Sequence, residues 1–511
     1  MSSATGLVAT IQYYITQLQA SLDTPDIPWK PLVISLLWLV YSFETYLSLR
    51  QYKLYSRTSP PAALASHVDL ETFRKSQAYG RDKARFGFLS GAIMQLLSWA
   101  IVQYDIYAWA WTLAGQLLVS LHFSDKEIPR SIVWMMIMFL IREIPSIPLT
   151  LYRNFVIEEK HGFNKMTIST FVTDTIKEWA LGLVIGAPLM AGLLSIIRWA
   201  GQSFVTYVVL FLFSFQVIAM VLYPTVIQPL FNKLTPLPEG ALRDRVVALA
   251  TSLKFPLKHL YQIDGSKRSS HSNAYFFGVI PGGNKHIVIF DTLIEKSTPD
   301  EIEAVLAHEL GHWAHNDPTK LLVMSQLQII FTMSLFTLFI NNVSLFRAFN
   351  FQVGPTLGEK VLGIPLGEQL NYLPIVIGLE LFQLVLNPTD ALVKFGMNSA
   401  IRRMEYAADS FAAKLERPPP TESELKAAEA YNAQVTSEGG QGVEAEVRAD
   451  PYKKEAYTDL LGRALIKLHM QNLSTMHHDP LFSAYHYSHP TLAERLQALD
   501  RYVASKEAKD E

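Results

Sequence analysis

Seven stretches of this chain are apolar for about 20 residues each, the length at which a helix crosses the hydrocarbon core of a bilayer. They fall at about 31–49, 86–104, 131–152, 179–199, 204–222, 321–340 and 373–393. In lipid no water satisfies backbone N–H and C=O groups, so runs of this length must be helical. The expected fold is an all-α polytopic membrane protein. Pro145 and Pro148 are expected to break the third run. Residues 106–123 are also apolar and aromatic, and read either as an eighth span or as an extension of the second. The composition agrees. Charged residues make up 18% of the 511, where an ordinary soluble chain carries about 25%. The net charge of -2 leaves no basic footprint for nucleic acid. The expected surroundings are membrane lipid.

Charge bias orients the spans. Lys53, Arg57, Arg74, Lys75, Arg81, Lys83 and Arg85 crowd the loop after the first span, whereas Lys126 and Arg130 alone lie between the second and third. Basic loops stay cytosolic. The N-terminus is then lumenal, and seven crossings leave the C-terminus cytosolic. An eighth crossing at 106–123 would put the basic loop and the segment after residue 222 on opposite sides.

Four regions follow: 1–222 with spans one to five, 223–320 outside the membrane, 321–393 with the last two spans, and 394–511 outside again. Within 223–320, residues 242–253 have an amphipathic helical pattern. Residues 258–263, 274–280 and 286–290 read as short strands, with turns at Asp264-Gly265 and Pro281-Gly282-Gly283-Asn284. Residues 418–449 are rich in Pro, Glu, Gly and Ala and are expected to be a disordered or loosely helical insertion.

Just before the sixth span stands His308-Glu309-Leu310-Gly311-His312. On a helix, residues four apart share a face, so His308 and His312 can hold one metal with Glu309 beside it as general base. Ser297 and Thr298 before Pro299-Asp300-Glu301 mark the start of such a helix. The pattern alone also occurs on ordinary surface helices, so the rest of a metal site must be found. The chain has no cysteine, so any further ligand is a histidine or a carboxylate. Two spans separate His312 from Glu405, which returns Glu405 to the same side of the membrane. His308, His312 and Glu405 would make a two-histidine, one-glutamate catalytic zinc set. Asp409, one turn on, is placed to accept from the free nitrogen of a ligand histidine. Near the C-terminus, His489 and Arg495 flank a helix opened by Pro490. Near a metal they can polarise a carbonyl and hold an oxyanion, although the spacing is equally that of a surface helix cap. Asn273-Ala274-Tyr275 begins a strand whose edge can pair with an extended peptide, or that is an ordinary hairpin strand.

This combination of the strand, the histidine motif, the Arg402-to-Asp409 helix, the His489-to-Arg495 segment and the span layout resembles the type I integral-membrane CaaX prenyl endopeptidases. The resemblance covers most of the chain and departs from it at 418–449. It implies seven helices forming a barrel around a large water-filled chamber, with a small α+β zinc-metalloprotease domain on the cytosolic side. It also implies one zinc ion and residence in the endoplasmic reticulum or inner nuclear membrane. The implied substrates are farnesyl or geranylgeranyl CaaX proteins, which lose their last three residues and in some cases are cut again upstream. Glu44, Gln95, Glu380, Gln383, Asn387 and Asp390 then line water. Arg142, Glu143 and Arg153 join that lining or pair with one another. The competing reading is a membrane quality-control zinc protease with no need for a prenyl group, and the long chain with seven spans favours the first.

Overall fold

The computed structural model describes residues 2–278, 283–352, 373–437 and 455–510. In chain order, α1 (Ser2–Leu22) precedes α2 (Trp29–Leu54), α3 (Leu70–Gln103), α4 (Ile106–Ser120), α5 (Glu127–Tyr152), α6 (Ile168–Ala200) and α7 (Phe204–Leu222). Next come β1 (Leu234–Pro236), α8 (Ala241–Ser252), β2 (Leu257–Ile263), β3 (Ala274–Phe277), β4 (Lys285–Phe290) and α9 (Pro299–Ala314). Then follow α10 (Asp317–Phe336), α11 (Ile375–Lys414), α12 (Glu422–Ser437), α13 (Tyr457–Gln471), α14 (Pro480–His486) and α15 (Leu492–Asp510).

Among the described residues, six continuous helical segments are long and apolar enough to cross a membrane. One of them, Ile168–Phe231, has 64 residues and turns at Gly201, where φ is +53°. It therefore holds two spans, α6 and α7, so α2, α3, α5, α6, α7, α10 and α11 match the seven apolar runs. Contacts sort their ends onto two sides. Lys30 pairs with Asp105 at 2.7 Å, Glu127 pairs with Arg198 and accepts from Ile375 N, and Trp29 donates to Ser344. These gather the ends of α2, α3, α5, α6 and α11 farthest from the histidine motif. On the other side, Arg50 pairs with Asp479, Gln51 donates to the His477 carbonyl and Ser76 to that of Ser474. The basic loop and the C-terminal region thus share one side, as seven crossings require. The segment at 106–123 is neither a span nor an extension. Asp105 takes a left-handed conformation (φ 56°) that separates α3 from α4. The 15 residues of α4 reach only about 22 Å, short of the roughly 30 Å core.

The expected break in the third span does not occur. α5 runs through Pro145 and Pro148 and gives way to a wider turn at Arg153–Glu158. Hydroxyls of Ser146 and Thr150 bond to carbonyls within this stretch, and such local adjustments let membrane helices tolerate proline.

The buried core of the spans is concentrated at their far ends. Val33, Val102, Trp134, Ile197, Phe204, Phe336 and Phe382 pack there. Over the most apolar stretch of each segment, only 6–33% of residues are buried. The helices thus pack most extensively at their far ends, and α2, α3 and the turn after α5 touch again on the metal side through Gln77, Tyr79 and Ile157. Between the helices Glu380 accepts from Tyr107 and pairs with Arg142 at 2.7 Å. Arg142 is thus paired with Glu380 rather than with Glu143 or Arg153.

The sheet has the order β1-β2-β4-β3. β2 and β4 are parallel (Leu260 opposite Ile287), while β3 lies antiparallel to β4 (Ala274 opposite Ile289). The expected hairpin is β3–β4. β1, a three-residue strand ending in proline, carries no alternation that would reveal it. Residues 279 and 280 of the expected strand, and part of its turn, lie outside the described residues. A second core joins the sheet to the outer helices, with Leu249, Ile287, Ile302, Leu306, Leu310 and Leu461 at its centre. Of the insertion expected to be disordered or loosely helical, Glu422–Ser437 is helical. Thr421 and Glu424 exchange hydrogen bonds across its first turn, and Arg245 pairs with Glu424 at 2.7 Å. Residues 438–449 lie outside the described residues.

Buried Glu303 on α9 accepts from the Tyr457 hydroxyl at 2.6 Å and from Arg417 at 2.6 Å. Removing one partner leaves a buried carboxylate short of a donor. Tyr457→Phe is expected to lower stability by about 1–3 kcal/mol with metal content unchanged, as read by thermal unfolding and elemental analysis.

Candidate metal centre

The helix that carries the two histidines starts at a complete capping box. Thr298 accepts from Glu301 N, and the Glu301 carboxylate accepts from Thr298 N at 2.8 Å. Pro299 occupies the first turn, where its missing N–H costs nothing. One face of α9 is anchored in the outer core through Ile302, Leu306 and Leu310. α11 crosses it at Gly311. A Cβ at this position would stand 3.0 Å from Ala408 Cα and 3.1 Å from its carbonyl oxygen. Only glycine lets the two backbones approach this closely. Ala408 lies between Glu405 and Asp409, so the crossing brings both carboxylates to the histidines.

One ligand-type atom from each of His308, His312 and Glu405 lies within 4.8 Å of the others. His308 Nε2 is 3.5 Å from Glu405 Oε2, and His312 Nε2 is 3.4 Å from Oε1. Each ring is held from behind. His308 Nδ1 lies 2.9 Å from Asp409 and His312 Nδ1 2.9 Å from Asp317. A carboxylate at Nδ1 fixes the proton there and leaves the Nε2 lone pair facing inward. Glu405 is 3% exposed, and its buried Oε2 has no hydrogen-bond partner among the described residues. An unpartnered buried carboxylate oxygen is costly, and a cation held between it and the two ring nitrogens removes that cost. The residues present fit a metal ion.

Electrostatics agree with a site built for positive charge. Burial lowers the His312 pKa, but hydrogen bonds to Glu405 and Asp317 more than reverse this and carry it up to about 9. Burial pushes the Glu309 carboxyl up, against the pull of His308 and His312, which suits a group that takes and returns a proton.

The remaining expected residues divide. His489 Nε2 lies 3.2 Å from Glu405 Oε1, and its exposed ring borders the site. Arg495 lies behind His308. Its guanidinium makes two bonds to Asp409, at 2.6 and 2.8 Å, with one nitrogen 3.3 Å from His308 Nδ1. Held behind the ligand, it fixes Asp409 and His308. Its contacts are those of a residue that positions a ligand. Asn273, exposed, caps the start of β3 through its side chain, Ala274 is buried in the outer core, and Tyr275 contacts Gln228. β3 is an edge strand, so one side of it remains open to pairing.

Family models match almost the whole length: "CAAX prenyl protease N-terminal, five membrane helices" over residues 51–233, and "Peptidase family M48" over residues 236–503. CAAX prenyl protease 1 of Saccharomyces cerevisiae is 38% identical over 494 residues, covering 96% of this chain and 99% of that one. The chain belongs to the CAAX prenyl protease family. The human CAAX prenyl protease 1 homolog is 34% identical over 502 residues, covering 90% of this chain and 93% of its own. The crystal structure of S. mikatae Ste24p superposes with a TM-score of 0.78 at 38% identity, over 94% of this chain and 100% of that one. This family member is accordingly a polytopic membrane metalloendopeptidase of CaaX type with a small α+β protease domain.

Two residues of its site escaped the sequence reading. Asp317 stands five residues after His312, but Asn316 in a left-handed conformation (φ 56°) turns the chain so that it faces back. Gly311 sits inside the motif, yet its need for glycine is visible only once α11 crosses it. Gly311→Val is expected to force the helices apart and weaken metal binding about 10–100-fold, the usual cost of losing outer support at a metal site. Titration against a competing chelator reads this directly.

Proposed function

We propose that this protein is a zinc endopeptidase that removes the last three residues of prenylated CaaX proteins, with a second upstream cut in some substrates. Its setting is the membrane of the endoplasmic reticulum or inner nuclear envelope, with the N-terminus lumenal and the metal site facing the cytosol. The observation that carries the reading is the cluster of His308, His312 and Glu405, each histidine backed by a carboxylate. Two imidazoles and a carboxylate, with thiolates excluded by a cysteine-free chain, are the donors of catalytic zinc. The cytosolic assignment is supported by the basic loop, which shares a side with the site.

When bound, zinc supplies Lewis acidity and lowers the pKa of water to about 7. The chain's own residues do the rest. Glu309 takes the proton of the attacking water and returns it to the departing amine. His489 donates from its exposed ring to the carbonyl oxygen as charge develops there. Asp409, Asp317 and Arg495 hold the ligand rings so that nothing reorganises during the reaction. The open edge of β3, beginning at Asn273, Ala274 and Tyr275, pairs with the substrate backbone. The space between the spread halves of the spans is the chamber through which the peptide reaches the site.

Glu309→Gln keeps the size and one acceptor oxygen of the side chain but cannot take up the proton. The variant should retain its metal and lose at least about 100-fold in cleavage of a farnesylated CaaX peptide. Chelation should abolish wild-type cleavage and added zinc restore it. Wild-type rates in the variant would remove Glu309 from the mechanism. Equal cleavage of prenylated and unprenylated peptide would favour a quality-control protease.

A further inference from the structure

Two cavities meet end to end between α5 and α6. The first, of about 870 Å³, lies between the metal-side halves of the two helices and the sheet, with Glu143, Asp174, Glu178 and Tyr275 in its wall. The second, of about 350 Å³, continues along the same pair of helices toward their far ends. Its wall is apolar and includes Met135, Phe139, Gly182, Leu183 and Gly186. Trp179 lines both, its ring edge-on to Phe139 at 5.5 Å. A space that touches β3 and carries carboxylates in a mixed wall therefore adjoins, at Trp179, an apolar groove between the two helices.

We propose that the apolar groove receives the isoprenoid chain of the substrate while the attached peptide lies in the larger, carboxylate-bearing cavity and leads toward β3. This rests on the reading that prenylated peptides are the substrates. Size supports it. Benzene fills a cavity of about 150 Å³, or roughly 25 Å³ per carbon. At that density a groove of about 350 Å³ holds about 14 carbons, close to a farnesyl chain.

Two glycines keep the groove open. A Cβ built at Gly182 or Gly186 meets no atom within 4 Å. Neither glycine serves a close helix crossing, and each costs its helix about 1 kcal/mol relative to alanine. Charge decides between a substrate and a membrane lipid. Arg268 pairs with Asp174 at 2.7 and 3.0 Å and also lies within electrostatic reach of Glu178, so the wall sets one guanidinium against the three carboxylates Glu143, Asp174 and Glu178 and is net negative. This wall repels a phosphate headgroup and suits the N–H groups and basic side chains of a peptide.

The full-length, metal-loaded enzyme tests this with a CaaX peptide carrying a diazirine in its farnesyl group. Irradiation of the wild type should label α5 and α6 between residues 132 and 187. Gly182→Leu and Gly186→Leu each place a side chain in the groove without displacing backbone. Each should lower the ratio of kcat/KM for farnesylated over unprenylated peptide by about tenfold, the scale at which filling an apolar pocket discriminates. Labelling confined to other helices overturns the proposal. So does a ratio unchanged in both variants while the wild type cleaves the farnesylated peptide. So does labelling of the groove by a diazirine phospholipid that excess farnesylated peptide does not displace. A wild type that fails to cleave the farnesylated peptide at all overturns the substrate reading instead, and the labelling pattern still decides where the isoprenoid binds.

Discussion

The close contact of Gly311 with Ala408 is what the site depends on. Two helices that belong to different regions of the chain, one anchored in the outer core and one continuous with the last span, touch there backbone to backbone. Glu405 and Asp409 flank the contact, so a displacement of the crossing moves a ligand and the partner of another ligand together. The outer core fixes α9 through Leu306 and Leu310, and the far-end core fixes α11 through Leu381 and Phe382. The metal site is therefore positioned by two cores at once. Neither the membrane region nor the protease domain alone contains it.

This arrangement explains why the spans are packed unevenly. A solid bundle would leave no way for a peptide to reach a site at the membrane rim. Here the far ends carry the apolar packing and the paired groups Glu127, Arg198, Lys30 and Asp105. Toward the metal side a cavity of about 870 Å³ opens between α5 and α6, with Glu143, Asp174 and Glu178 in its wall. Ionisable groups within spans are tolerated when they face one another or water rather than lipid, and Arg142 with Glu380 shows the first of these solutions. Stability is supplied at one end so that the other can stay open.

Much of this was legible in the sequence because it rests on local rules. Span number followed from run length, and the shared side of His312 and Glu405 followed from crossing parity, which no error in the earlier spans could disturb. Asp409 followed from helical spacing. What was not legible depends on how elements cross. The direction of Arg495 could not be read from spacing: Asp409 takes two of its three guanidinium nitrogens. Asp317 and Gly311 needed the turn at Asn316 and the crossing of α11. Composition left 418–449 open between disorder and a loose helix, because the contact that helps settle Glu422–Ser437, Arg245 with Glu424, comes from another helix.

The most direct test of the central claim is X-ray absorption at the metal edge of the purified full-length enzyme. His308, His312 and Glu405 as the protein ligands predict zinc with only nitrogen and oxygen neighbours at about 2.0–2.2 Å, and outer scattering from two imidazoles. A signal from three imidazoles would bring His489 or another histidine into the ligand set, and a signal from one or none would remove the motif from it. Either result would contradict the site as built here.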